Sequence, residues 1–233
     1  MISSTVTHWV KNLSSRLPIR TQQKLKRWHF MHQLRTNQFT TPEPEYERLE
    51  DWVGAGDWVI DLGANIGHYT VRLSRLVGPS GRVMAFEPVP ETFEILTSLV
   101  SASGAHNVSL FNVAASAGVV GVAGMSLPQF TSGLTNYYMA SLTSTGGEFV
   151  VMTLPLDGLM PPKRVSLVKV DVEGHEIQAL RGMQALLIRD RPRLIVEGRS
   201  GEVATFLESL GYRFIELKGS PNRVFESVRN SSI

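Results

Sequence analysis

The sequence predicts an α/β fold in which helices flank a mostly parallel sheet, and three stretches predict it. The apolar run Trp58-Val59-Ile60 passes into Asp61-Leu62-Gly63-Ala64-Asn65-Ile66-Gly67 and then into a helical pattern, the layout of a strand, a glycine turn and a helix start. A second run, Val83-Met84-Ala85-Phe86, ends at Glu87-Pro88, twenty residues past Gly67. A third, Ser166-Leu167-Val168-Lys169-Val170, runs straight into the charge-dense turn Asp171-Val172-Glu173-Gly174-His175-Glu176. Strands separated by helical segments describe βαβ units, whose crossovers leave the strands parallel.

Taken in order, residues 1–41 predict a helical arm. Val6, Trp9, Val10, Leu13 and Leu17 recur at helical spacing up to Pro18, and a second helix is expected from about Gln22 to Leu34. Thr41-Pro42-Glu43-Pro44-Glu45 reads as a turn, Glu45 to Val53 as a helix, and Gly54-Ala55-Gly56-Asp57 as the lead into the first strand. A helix from Ile66 to Val77, the turn Gly78-Pro79-Ser80-Gly81, the strand ending at Phe86, a helix from Pro90 to about Ser103 and a strand from Val108 to Val113 follow. Residues 114–147, rich in Gly, Ser and Thr and weakly periodic, read as an insertion at the sheet edge. Phe130, Tyr137, Tyr138 and Met139 within it suit either an acceptor-binding loop or a surface loop with packed aromatics. Glu148 to Leu154 should be an extra strand. Beyond the Asp171 turn come a helix from His175 to Ile188, a strand Arg193 to Val196, a helix Glu202 to Leu210, and strands near Tyr212 to Leu217 and Val224 to Val228. With 233 residues, 42% of them hydrophobic, the chain is long enough for one α/β core, expected over 42–233, behind the arm.

In open α/β sheets, ligands gather beyond the carboxyl ends of the strands, so Asp61, Glu87, Asp171, Glu173, His175 and Glu197 should share a crevice. The glycine loop differs from the Gly-x-Gly-x-x-Gly of dinucleotide sites because an acid comes first. Asp61 suits a ligand carrying an ammonium, such as S-adenosylmethionine, while Gly63 and Gly67 keep the turn free of Cβ atoms. Glu87 is placed to accept from ribose hydroxyls, which nicotinamide cofactors also possess. Glu176 reads as a helix N-terminal acid.

These stretches, with Arg191-Pro192-Arg193-Leu194-Ile195-Val196-Glu197, resemble the FkbM-type methyltransferases, a group of class I S-adenosylmethionine-dependent enzymes, over about Pro42 to Leu217. The resemblance implies a seven-stranded Rossmann-like sheet, adenosylmethionine as methyl donor, and O-methylation of a sugar, glycolipid or secondary metabolite. Donor-side residues are then Asp61, Gly63, Asn65, Gly67, Glu87, Pro88 and Asp171, with Asp171, Glu173 and His175 on the catalytic side.

Composition removes several alternatives. The absence of cysteine excludes disulfides, thiolate zinc and the covalent route to cytosine-C5 methylation. The Asn/Asp-Pro-Pro-aromatic signature of amino methylation is missing, since Pro161-Pro162 is the sole Pro-Pro pair, so nucleic acid is not an expected substrate. No apolar stretch approaches the ~20 residues that span a bilayer, and a cytoplasmic protein is expected. Lys11, Arg16, Arg20, Lys24, Lys26, Arg27 and Arg35 face no acid within residues 1–41, which leaves the rest of the chain net negative. Such an arm could pack on the acidic core, act as a lid or dimer contact, or meet an anionic membrane.

Methyl transfer from a sulfonium is an in-line displacement that needs alignment, exclusion of water and removal of a hydroxyl proton. His175 is the natural base and His68 its rival, although His68 is better placed to pack. Asp171 could orient the acceptor or, with Glu173 and Glu197, hold Mg²⁺ through oxygen ligands; nothing in the spacing demands a cation. Two other readings are a nicotinamide-dependent oxidoreductase, which lacks a Tyr-x-x-x-Lys pair here, and a non-catalytic adenosylmethionine-binding scaffold.

Overall fold

A computed structural model describes residues 18–128, 140–143 and 146–228. The helix expected to end at Pro18 and the aromatics Phe130, Tyr137, Tyr138 and Met139 lie outside the described residues.

Seven strands form the main sheet: β1 (Trp58–Leu62), β2 (Arg82–Phe86), β3 (Val108–Phe111), β8 (Val165–Val170), β9 (Arg193–Val196), β10 (Tyr212–Ile215) and β11 (Arg223–Ser227), ordered β10-β11-β9-β8-β1-β2-β3. The five from β9 to β3 are mutually parallel, and β11 runs antiparallel to both neighbours, as the tail strands of the sequence predict. Strand side chains alternate in direction, and here both directions are buried. Ile60, Leu62, Met84, Phe86, Val168 and Val170 enter one apolar cluster, covered by α6 (Glu176–Arg181), α7 (Gln184–Asp190) and α8 (Gly201–Ser209). Val59, Val83, Leu167 and Ile195 enter the opposite cluster, with Tyr46, Leu49, Tyr69 and Leu73 from α2 (Pro44–Glu47), α3 (Leu49–Trp52) and α4 (His68–Val77). A further cluster joins α4, α5 (Pro90–Ala102) and the basic helix α1 (Ile19–Arg35) through Val71, Leu96, Leu99 and Leu34. Phe30 and Met31 of α1 pack against it, so this helix is docked on the α/β core.

Three elements differ from the sequence reading. Within 114–147, read from its weak periodicity as an insertion at the sheet edge, the described residues carry strands: β4 (Ala114–Ala115), β5 (Gly121–Ser126) and β6 (Ser141–Thr143) join β7 (Phe149–Leu154) in a second sheet, ordered β4-β7-β5-β6. Its glycines mark close backbone approach rather than looseness, since a Cβ on Gly124 would lie 1.7 Å from the carbonyl oxygen of Gly146, and one on Gly147 2.7 Å from the backbone of Met125. The helix expected over His175 to Ile188 is broken between α6 and α7, where a Cβ on Gly182 would sit 2.1 Å from the Ser116 carbonyl oxygen. The helix expected over Glu45 to Val53 is likewise two short ones, α2 and α3.

Candidate active site

The parallel strands β1, β2, β8 and β9 end on one edge, and residues just beyond those ends line a common cavity of about 260 Å³. Gly63 and Asn65 follow β1, Glu87 and Pro88 follow β2, Asp171, Glu173 and His175 follow β8, and Glu197 follows β9. The second sheet supplies a largely apolar wall that includes Ala115, Met125 and Leu142, and Glu43 reaches in from the turn before α2.

Glu87 is held by the backbone on both oxygens. Its Oε2 accepts from the Asn65 N–H and its Oε1 from the Val89 N–H, each at 2.9 Å. Burial pushes the carboxyl up to about 7, against the pull of those two bonds. Asn65 adopts a left-handed φ of 50°, a conformation that Asn tolerates better than most residues.

Asp61 sits behind this wall rather than in it. Strand register sets it beside Lys169, and the Thr70 hydroxyl donates to its Oδ2 at 2.6 Å. Its Oδ1 has no partner among the described residues. Burial raises the Asp61 carboxyl, with Lys169 and Thr70 opposing. The Lys169 ammonium lies 2.7 Å from Asp171 Oδ2 and 4.8 Å above the Tyr69 ring. The Tyr69 hydroxyl in turn donates to Glu43. Burial works to lower Lys169, but Asp171 and Asp61 outweigh it and hold the ammonium above its ordinary range.

Carboxylate oxygens of Asp171, Glu173 and Glu197 lie within 4.8 Å of one another. Burial would raise Asp171, yet Lys169 and a hydrogen bond with Glu197 hold it below the usual carboxylate range. Burial, the bond to Asp171 and the neighbouring acids push Glu197 up to about 8. Lys169 thus favours the ionised form of Asp171, and Asp171 favours the protonated form of Glu197. Glu173 rises to about 7, through burial and then the charges of Asp171 and Glu176. Three such oxygens suit a hard divalent cation, although the ammonium and the shared proton already serve Asp171.

His175 Nε2 lies 2.9 Å from the Ser116 hydroxyl at the end of β4, and burial lowers the imidazole, with Glu176 opposing. Glu176 accepts from the Gly174 N–H at 2.9 Å at the start of α6, the helix-terminal role expected of it. His68 is packed, its ring 4.2 Å from that of Phe39, and burial pulls it down to about 4.

Gly63, Asn65, Glu87, Pro88, Asp171, Glu173 and His175 are thus brought together, while Asp61 and Gly67 lie outside the lining. A Cβ on Gly63, at φ 71°, would fall 1.6 Å from the Asp171 carbonyl oxygen, and one on Gly67 2.7 Å from Leu96. These glycines let the loop close onto β8 and α5. Sequence reasoning passed over Lys169, whose signal is a lone cation in an apolar strand, and also Glu43 and Ser116, which carry none.

Residues 61–214 match the methyltransferase FkbM domain. "Methyltransferase 1" of Beauveria bassiana is 31% identical over 66% of this chain and 72% of its own length. The hexuronic acid methyltransferase AglP of Haloferax volcanii is 30% identical over 54% of this chain, which spans half of that protein's length. The crystal structure of methyltransferase FkbM from Methylobacillus flagellatus superposes with a TM-score of 0.52 at 16% identity, over 73% of this chain and 43% of that one, a likeness of fold.

Proposed function

The chain belongs to the methyltransferase FkbM family, and from that premise we propose that it transfers the methyl group of S-adenosylmethionine to a hydroxyl of a sugar, glycolipid or secondary metabolite. One observation carries the reading: a single cavity is lined by Gly63, Asn65 and Glu87 together with Asp171, Glu173 and His175. The name of the archaeal relative supports a sugar acceptor for this chain.

The lining fits the donor. Glu87, fixed by two backbone N–H groups at the cavity wall, would accept from the ribose hydroxyls, beside Pro88. Gly63 and Asn65 would approach the methionine portion, and Asp171 would face the reacting end. Asp61 and Gly67 act from behind, Asp61 by tying β1 to α4 through Thr70 and by balancing Lys169. Bound adenosylmethionine supplies an electrophilic methyl on a sulfonium.

The remaining work belongs to the chain. Asp171, kept ionised by Lys169, orients the acceptor hydroxyl as a hydrogen-bond acceptor. His175 is neutral at pH 7, and when Ser116 accepts the Nε2 proton, Nδ1 keeps a lone pair able to take the hydroxyl proton. Glu173 stands next to Asp171 and shapes the field around that step. The second sheet and Val89 exclude water from the acceptor side.

The test is transfer of labelled methyl from adenosylmethionine to a panel of sugars and hydroxylated metabolites by the full chain. Turnover that falls in Asp171→Asn and His175→Ala supports the reading. Tight adenosylhomocysteine binding with no turnover across the panel would point to a non-catalytic scaffold instead.

A further inference from the structure

Five carboxyl groups line the cavity, those of Glu43, Glu87, Asp171, Glu173 and Glu197, and among the described residues no lysine or arginine does. The cations nearby are already matched to its carboxylates. Lys169 is 4% exposed and turned onto Asp171, while the charge of Glu87 acts on Lys26 of α1. His175, the one imidazole in the lining among the described residues, is held by Ser116, and burial lowers it below its ordinary value. Opposite the acidic edge stand Val113, Ala115, Met125 and Leu142.

A wall of this kind sorts acceptors by charge. A carboxylate or phosphate entering it would meet Asp171 and Glu173 with no cation to pair with, and placing like charges together penalises binding. Hydroxyls and an ammonium can both donate to the carboxylates of Asp171 and Glu173. We propose, on the footing of the methyl-transfer reading above, that the acceptor is a neutral or amine-bearing polyol with an apolar portion against the second sheet, and that uronic acids and sugar phosphates are excluded, which sets this chain apart from the hexuronic acid methyltransferase to which it is 30% identical. The acidic edge is then a specificity determinant as well as part of the reaction site.

The experiment uses the full chain saturated with S-adenosylhomocysteine, in EDTA at pH 7.5, titrated calorimetrically with hexyl glucoside, hexyl glucosaminide and hexyl glucuronide. The second and third each differ from the glucoside at one carbon, C2 and C6 respectively. The glucoside and glucosaminide should bind at least about tenfold more tightly than the glucuronide. Glu173→Gln, checked for folding by circular dichroism, should narrow the gap. Equal or tighter binding of the glucuronide overturns the proposal. So does glucuronide binding that appears only when Mg²⁺ replaces EDTA, because the three carboxylates would then be serving a cation. Failure of the wild type to bind adenosylhomocysteine at all is a separate result, and it would strike the methyl-transfer reading itself.

Discussion

Glu87 and His175 are the side chains on which the proposed chemistry turns. Glu87→Ala removes a charge-assisted acceptor, worth about 1.5 to 3 kcal/mol, so adenosylhomocysteine should bind roughly tenfold or more weakly by calorimetry. The ionised carboxylate is the better acceptor for two hydroxyls, and Glu87 titrates at about 7. Affinity should therefore rise from pH 6 to pH 8, and Glu87→Gln should flatten that profile. Stability runs the other way. Glu87 and Glu173 are raised to about 7 and Glu197 to about 8, so the folded chain binds more protons than the unfolded one across the interval from the ordinary carboxylate range to those values. The stabilisation is full at the acid end and is lost as pH rises through 7 to 8, and the thermal midpoint of the ligand-free protein should fall over that window, less so in Glu197→Gln. His175→Ala should lower the single-turnover rate by ~10²- to 10⁴-fold with little change in adenosylmethionine affinity. A wild-type rate across pH in that variant, with Asp171→Asn inactive, would assign the proton to the carboxylate.

Among the elements, the turns at the strand ends set the site, and their tolerances are visible in the backbone. Gly63→Ala adds a Cβ 1.6 Å from the Asp171 carbonyl oxygen at a left-handed φ, so β1 and β8 would have to part. That variant should lose both thermal stability and adenosylhomocysteine affinity, whereas Gly54→Ala, where a Cβ meets nothing within 4 Å, should lose neither. The parallel strands and their acidic ends were legible from sequence because continuous apolar runs and strand-terminal carboxylates are local signals. Of the second sheet, only β7 was legible, as the strand expected over Glu148 to Leu154; the glycines of the rest serve contacts between β5 and residues 146–147, and composition alone makes such a stretch look like a loop. The break between α6 and α7 was hidden for the same reason, since Gly182 answers to Ser116, distant in sequence. Lys169 was written in an apolar strand, yet its role appears only once register sets it beside Asp61.

At the scale of the whole molecule, the described part of the basic segment, helix α1, packs on the α/β core. Helix α1 contributes Leu34 to a buried cluster with Leu96 and Leu99, and Phe30 packs edge-on against His68. The sequence leaves residues 1–41 open between packing on the acidic core, a lid or dimer contact and a membrane contact, because charge does not report packing; in α1 it is the meeting with α5 that buries the apolar face. Deleting residues 1–41 should lower the thermal midpoint and weaken adenosylhomocysteine binding together, rather than impairing methyl transfer alone. No helix among the described residues is long and apolar enough to cross a membrane. The central claim is that the cavity between Glu87 and the Asp171 turn receives the methyl donor. Its most direct test is calorimetric titration of the full chain and of Glu87→Ala with S-adenosylhomocysteine at pH 7.5. The account predicts one site per chain in the wild type and at least a roughly tenfold loss in the variant; equal affinities in the two proteins would contradict it.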